Sequence, residues 1–342
     1  MRVPRESPLH PAARRQASRL LYAAFKRAGS ADREFAAFRF ADVAEEVIRT
    51  DFITTAGADA AKAADAAQSV IIRARQLADA ILSLRVPDLP RVEAALGLID
   101  QVAARTGTPT DAFRDELAFR RLQVAIARDD HAGVTAIAAA MQASTGPFAT
   151  AADRLLFQRA ADAWRSAEDD ARLAREVVRH GSRLLDAARG QGLDFVRDQT
   201  ARAAALLWKV EKNEAMRALA IKTDRAQLAG GTRTLASLRR LAHLLEDAGD
   251  KPGALDAWNE LLAGFDETTQ EWGEARYNSL RLLIATNPAR AAQVYDQHAL
   301  LHPGGGPAPW GPMIEELRVQ LPAIPTPKPA GAAGAGGTGG GG

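Results

Sequence analysis

Apolar residues along this chain recur at alternating steps of three and four. The longest such run is Ala60, Ala63, Ala67, Val70, Ala74, Leu77, Ile81 and Leu84, a spacing that lines one face of a helix. With Pro, Gly, Asp and Asn read as punctuation, the pattern predicts helices over about 10–28, 31–50, 57–85, 90–105, 110–128, 131–143, 150–168 and 170–188. It continues over about 193–210, 213–228, 232–248, 251–264, 270–286 and 288–301, with a short helix over 310–320. The most strand-like triplet, Val70-Ile71-Ile72, sits inside a helical period. Residues 148–251 contain no proline, as a succession of unbroken helices requires. The expected fold is all-α.

A second, slower pattern overlies the first. A small residue just after a turn is followed four positions later by a larger apolar one: Ala174 with Val178, Ala215 with Leu219, Ala254 with Trp258, Ala291 with Tyr295. Upstream, Ala95 with Ile99 and Ala132 with Ala136 extend the series, at intervals of 37 to 42. Helices joined in a tight hairpin need a small side chain at their closest approach and a bulky one a turn later to fill the gap. Asp170, Asp250 and Asn287 each stand four residues before a repeat alanine, where their side chains suit a helix N-cap. Pro252 and Pro288 fall in the first turn, where a missing N–H costs little.

The stretch LASLRRLAHLLEDAGDKPGALDAWNELLAGF, residues 235–265, resembles a tetratricopeptide repeat. Leu235, Leu238, Leu241, Ala242, Leu245, Gly249, Ala254, Trp258 and Leu261 fall on that family's apolar and small positions. In the next unit, from Trp272, Ala275, Ser279, Leu282, Ala291 and Tyr295 fit, with Asn278 in place of the usual leucine. The string from Glu274 to Pro303 is similar to the C-terminal end of uncharacterised bacterial tetratricopeptide proteins. The resemblance implies a right-handed solenoid of antiparallel helical hairpins whose first helices line a concave groove. It divides the chain into an N-terminal helical region with a basic arm (1–89), a repeat solenoid (90–320) and a Pro/Gly-rich tail (321–342).

Composition agrees with helices. The chain has 342 residues, of which 74 are alanine and three are tyrosine, a bias against sheets. The absence of cysteine removes disulfides, thiolate metal sites and Cys nucleophiles. The tail, with Pro322, Pro325, Pro327 and Pro329 followed by a glycine-rich run, lacks apolar periodicity and is expected to be disordered. The first 35 residues of the chain carry a net charge of +5 against −3 for the remainder; this segment is read as a solvated first helix or as an arm for an anionic partner. No signal-peptide pattern or membrane-length apolar stretch is visible, and a cytoplasmic location is expected.

Enzyme signatures are missing: there is no Gly-x-Ser-x-Gly and no phosphate-binding Gly-x-x-x-x-Gly-Lys. Gly190-Gln191-Gly192 follows no strand, which argues against a dinucleotide site. The acidic doublets Glu45-Glu46, Asp129-Asp130, Asp169-Asp170 and Glu315-Glu316 diverge around a helix and read as caps and solvated faces. His298 and His302 have the i, i+4 spacing of a zinc pair, but Pro303 disfavours helix at His302 and they are read as surface histidines. Four tryptophans, Trp164, Trp208, Trp258 and Trp272, read as core, and Trp310 as a cap. No enzyme activity, metal or cofactor is expected.

Partner binding is what the resemblance implies. Position five of the two best-matched units is Arg239 and Arg276, with Arg240 and His243 nearby. A basic groove there would favour another protein or peptide, acidic in character; the alternative is that these arginines lie along neighbouring helices. The Lys/Asn carboxylate clamp of some tetratricopeptide domains is not reproduced, because Arg240, Tyr277, His243 and Leu280 occupy its positions. A second functional reading makes the chain a helical-repeat binder of nucleic acid or an anionic surface through the basic arm.

Overall fold

The computed structural model describes residues 10–57, 59–107, 110, 113–141, 143–144, 146–187 and 192–321. These form fifteen α-helices, and no strand occurs among the described residues. The helices are α1 (His10–Arg27), α2 (Arg33–Gly57), α3 (Ala60–Leu82), α4 (Leu89–Thr106), α5 (Arg114–Ala127), α6 (His131–Met141), α7 (Pro147–Arg165) and α8 (Ala171–Ala187). They continue as α9 (Asp194–Glu211), α10 (Glu214–Ala229), α11 (Leu235–Asp247), α12 (Lys251–Gly264), α13 (Gln270–Thr286), α14 (Pro288–Leu301) and α15 (Trp310–Glu316), followed by a 3-10 turn, Leu317–Gln320. Two compact units result, Met1–Leu156 and Phe157–Gly342, dividing within α7. The Pro/Gly-rich tail after Leu321 lies outside the described residues, as do Gly190 and Gln191.

In the first unit α3 is the central helix. It packs on α2 and on α4, and besides the expected Ala67, Val70, Ala74, Leu77 and Ile81 it also buries Ala66, Ile71, Ala78 and Ala80. A helix covered on several sides loses the one-faced pattern of a surface helix. The second helix runs on to Gly57, seven residues past its expected end. Tertiary contacts carry it there: Asp51 is held by Arg15 at 2.8–3.2 Å, and Arg105 lies 4.0 Å over the Phe52 ring. A smaller cluster of Leu122, Met141, Ala152 and Leu156 joins α5, α6 and the start of α7.

In the second unit each helix from α8 to α14 packs on its sequence neighbour. At the α8–α9 contact, a Cβ on Gly181 would run into Thr200 Oγ1 and stand 3.1 Å from Phe157, so only glycine permits that approach. Another core gathers Leu238, Leu241, Leu245, Ala254, Trp258 and Leu261 from α11 and α12 with Leu282 from α13. The expected caps form: Asp250 accepts from Gly253 N at 3.0 Å, Asn287 from Arg290 N at 3.1 Å, and Asp170 from Arg172 N at 2.7 Å. Thr234 and Ser237 add a reciprocal capping box at the start of α11.

The repeat alanines divide. Ala95, Ala174, Ala254 and Ala291 are buried together with Ile99, Val178, Trp258 and Tyr295. Ala132 and Ala136 are exposed, and so is Ala215. In α10 the core-facing positions are Ala220, Thr223, Asp224 and Gln227 instead, because Asp224 turns inward to meet an arginine of α11.

Candidate functional site

The four residues singled out from the sequence all lie in the second unit, on α11 and α13. Arg240 is mostly buried. Its guanidinium grips the fully buried Asp224 of α10 through two bonds, 2.8 and 2.6 Å, and reaches Asp198 of α9 at 3.1 Å. Burial pushes the Asp224 carboxyl above its ordinary range against the pull of Arg240, whereas Arg240 is held more firmly protonated by its two carboxylates than burial loosens it. With Nε and Nη2 committed to Asp224 and Asp198, Arg240 acts as a structural clamp.

Arg239 pairs with Glu274 of α13. The mirror contact, Arg281 of α13 with Glu246 of α11, ties the same two helices again. Side chains therefore link α9 to α11 and α11 to α13, in each case skipping the intervening helix. His243 is exposed and meets the Trp258 ring edge-on at 5.1 Å.

Arg276 differs from these. It has no carboxylate within 4 Å among the described residues, and its buried Nε lacks a hydrogen-bond partner there. The guanidinium lies 5.0 Å over the Trp272 ring. Desolvation lowers its pKa, with Glu267 as the opposing influence. Where Arg239 finds Glu274 on α13, Arg276 is followed by the turn at 302–309 and α15, which packs onto α13. That packing is close: a Cβ on Gly273 would stand 2.9 Å from Pro307 and 3.0 Å from Trp310.

Next to Arg276 stand the two histidines expected at the surface. His298 is buried instead. Its Nε2 donates to the Gly305 carbonyl at 2.9 Å, which leaves Nδ1 as an unpartnered acceptor. Its ring lies 4.9 Å from His302 and 5.8 Å from Trp272, while His302 Nε2 is 3.2 Å from Glu267. The turn after α14 folds back over His298, which is why a position near a helix end is enclosed. No group of three potential metal ligands assembles among the described residues.

This enclosure has a pH consequence. Burial lowers the His298 pKa, the bond to Gly305 opposes that, Arg276 and His302 lower it further, and Glu267 raises it. A histidine depressed in the fold stays neutral there while the unfolded chain, near 6.5, binds a proton. Stability is thus complete above about pH 6.5 and falls as pH drops from there toward the folded-state pKa, with a limiting slope of about 1.4 kcal/mol per unit. Urea titrations at stepped pH should show His298→Gln with a shallower acid loss than wild type; equal slopes would remove His298 from the account.

The described part of the basic N-terminal arm, from His10, includes the helix α1. Arg14 pairs with Glu46, Arg15 with Asp51 and Asp65, and Lys26 approaches Asp79 at 3.5 Å, so acidic residues of α2 and α3 face three of its cations. Arg2 and Arg5 lie outside the described residues. The acidic doublets serve structure where bonds are seen: Glu45 takes Arg91 at 2.6 Å, Asp130 caps α6 through Gly133 N at 2.9 Å, and backbone bonds from Arg172 and Leu173 lower the Asp170 pKa. Trp164, Trp258 and Trp272 are buried, Trp208 is half-buried, and Trp310 packs against Tyr277 with ring centres 5.5 Å apart.

The carboxylates that capture the arginines, Asp198, Asp224, Glu246 and Glu274, were not anticipated from the sequence. The signal for two of them is Arg/Glu complementarity at a separation of 35 residues, Arg239 to Glu274 and Glu246 to Arg281. No helix among the described residues is long and apolar enough to cross a membrane. Comparison with protein-family models, with curated proteins and with solved structures finds no match for this chain.

Proposed function

We propose that the chain is a non-catalytic interaction scaffold: a right-handed, tetratricopeptide-like stack of helical hairpins that holds an acidic segment of another protein against its first helices. The observation that carries the reading is the linkage of α9, α11 and α13 by side-chain bonds that bypass α10 and α12. Helices joined in this way stand side by side as one wall, the arrangement in which helical-repeat proteins present a binding surface. On that succession Arg276 is a half-buried cation without a carboxylate, and an incoming one would form a charge-assisted, forked pair with it. His243, exposed beside Trp258, is the second contact. Arg239 and Arg240 position the helices through Glu274, Asp224 and Asp198.

Immobilised full-length chain should retain a protein with an acidic segment from its native lysate, and the Arg276→Glu variant should release it. Because Arg276 holds no ion pair within the described residues, the reversal should leave the fold intact by circular dichroism. Identical sets of retained proteins for wild type and variant would overturn the assignment of this site. The reading of the basic arm as a nucleic-acid contact gains no support, since Arg14, Arg15 and Lys26 face acidic residues of the chain itself.

A further inference from the structure

The tip of the α1–α2 hairpin carries an apolar ridge. Helix α1 ends at Arg27 and α2 begins at Arg33. The two run antiparallel, with Tyr22 against Phe40 at 5.1 Å and Arg33 over the Phe25 ring at 5.6 Å. Every residue from Gly29 to Phe35 is exposed. On the first turns of α2, Phe35 is 67% exposed and Phe38 is 51% exposed; three residues apart, they share a face. Two large aromatic rings left in water side by side mark a surface that gains by being covered.

The cations around this ridge are uncommitted. Elsewhere in the first unit Arg75, Arg91, Arg120, Arg121 and Arg128 each hold a carboxylate. By contrast Arg19, Arg27, Arg33 and Arg39 are exposed, and none has a carboxylate within 4 Å among the described residues. Arg27 Nε turns back to the Ala23 carbonyl at 3.1 Å, and the Arg39 guanidinium lies 5.6 Å over the Phe35 ring. Residues 19–39 contain five cations against Asp32 and Glu34, a net charge of +3.

Whatever covers this tip has to receive apolar rings and guanidinium groups next to each other. The boundary of a bilayer does so, since the acyl region lies directly beneath a layer of phosphates. Arginine stems follow apolar surface while their heads reach the polar layer, and Arg39 over Phe35 is such a pair. Guanidinium groups spread over two helices, with no two gripping a common point, match a diffuse field of anions better than one discrete carboxylate. We infer that the α1–α2 hairpin docks on an anionic lipid surface, with Phe35 and Phe38 entering the boundary and Arg27, Arg33 and Arg39 among the phosphates.

The full chain should sediment with phosphatidylcholine vesicles containing about 30% phosphatidylglycerol and stay behind with phosphatidylcholine alone. Salt should release it, because screening shortens from about 10 Å at 0.1 M to about 3 Å at 1 M. Phe35→Ser with Phe38→Ser should weaken binding at least about tenfold. Arg33→Gln with Arg39→Gln should cost about fivefold for each cation removed. All four positions are exposed, so circular dichroism should not change. The chain has no cysteine, so a polarity-sensitive dye on Phe38→Cys should shift to the blue on anionic vesicles, while the same dye on Val210→Cys, exposed on α9, should not. Arg276→Glu, in the other unit, should bind vesicles as wild type does, which keeps this result separate from the fate of that site. A wild type indifferent to anionic vesicles overturns the proposal, and so does binding that survives both paired substitutions or a dye that shifts equally at the two positions. Retention of random single-stranded DNA in preference to the vesicles at equal salt would also overturn it, by assigning the ridge to base stacking.

Discussion

Replacing Trp258 by alanine should remove about 3–5 kcal/mol of stability, the range for deleting a fully buried aromatic side chain. Trp258 has no exposed surface and lies in the core shared by α11, α12 and α13. Its indole Nε1 donates to Glu246 Oε1 at 3.0 Å, and Glu246 in turn pairs with Arg281. Truncation therefore opens a cavity and also frees the carboxylate that joins α11 to α13. Hydrogen exchange should show protection lost first in α11 to α14, with α1 to α5 unchanged. Trp258→Phe, which keeps most of the volume and loses the donor, should cost less. A loss for Trp258→Ala under about 1 kcal/mol would mean the site collapses without consequence.

Arg240→Ala should be comparably severe, about 3–5 kcal/mol, for a different reason. Removing the guanidinium leaves Asp224 buried and uncompensated, and an orphaned interior charge costs more than the intact pair contributes. Arg240→Lys keeps the charge but cannot reproduce the two bonds to Asp224, so it should fall between alanine and wild type. The informative control is Arg240→Met combined with Asp224→Leu, which removes both charges and should recover much of the loss. Chemical denaturation of the two single variants and the double gives the coupling directly. Additive losses would show that the two side chains do not act as a unit.

Helix positions were legible in the sequence because three independent signals agree on them: apolar spacing, proline and glycine at breaks, and Asp or Asn at starts. Asp250, Pro252 and Ala254 in succession fix the start of α12 to the residue, and Asn287, Pro288 and Ala291 do the same for α14. Where a signal is tertiary the reading falls short. The extension of α2 rests on Arg15 and Arg105, which belong to other helices. Ala215 was placed inside and lies outside, since counting apolar residues cannot anticipate that α10 turns Asp224 inward to meet Arg240, sixteen residues on.

The candidate site was legible at the level of residue type and helix, and less so in chemistry. Arg239, Arg240 and Arg276 look alike in the sequence, as arginines on first helices. The structure separates them by what stands opposite: Glu274 for the first, Asp224 and Asp198 for the second, an indole face for the third. His298 shows the same lesson in reverse. Pro303 correctly ends the helix, but the chain beyond it folds back, and Gly305 closes over a ring that helix-end position alone would leave in water.

The bonds that bypass α12 also bear on how this chain can change over generations. Since Glu274 and Arg281 hold α13 against α11 directly, the connection at 265–269 is not what sets the spacing of those two helices. Extra residues, or even a small inserted domain, could enter that loop while the neighbouring architecture keeps its register. A lineage can then elaborate its outer edge without first solving the assembly problem afresh.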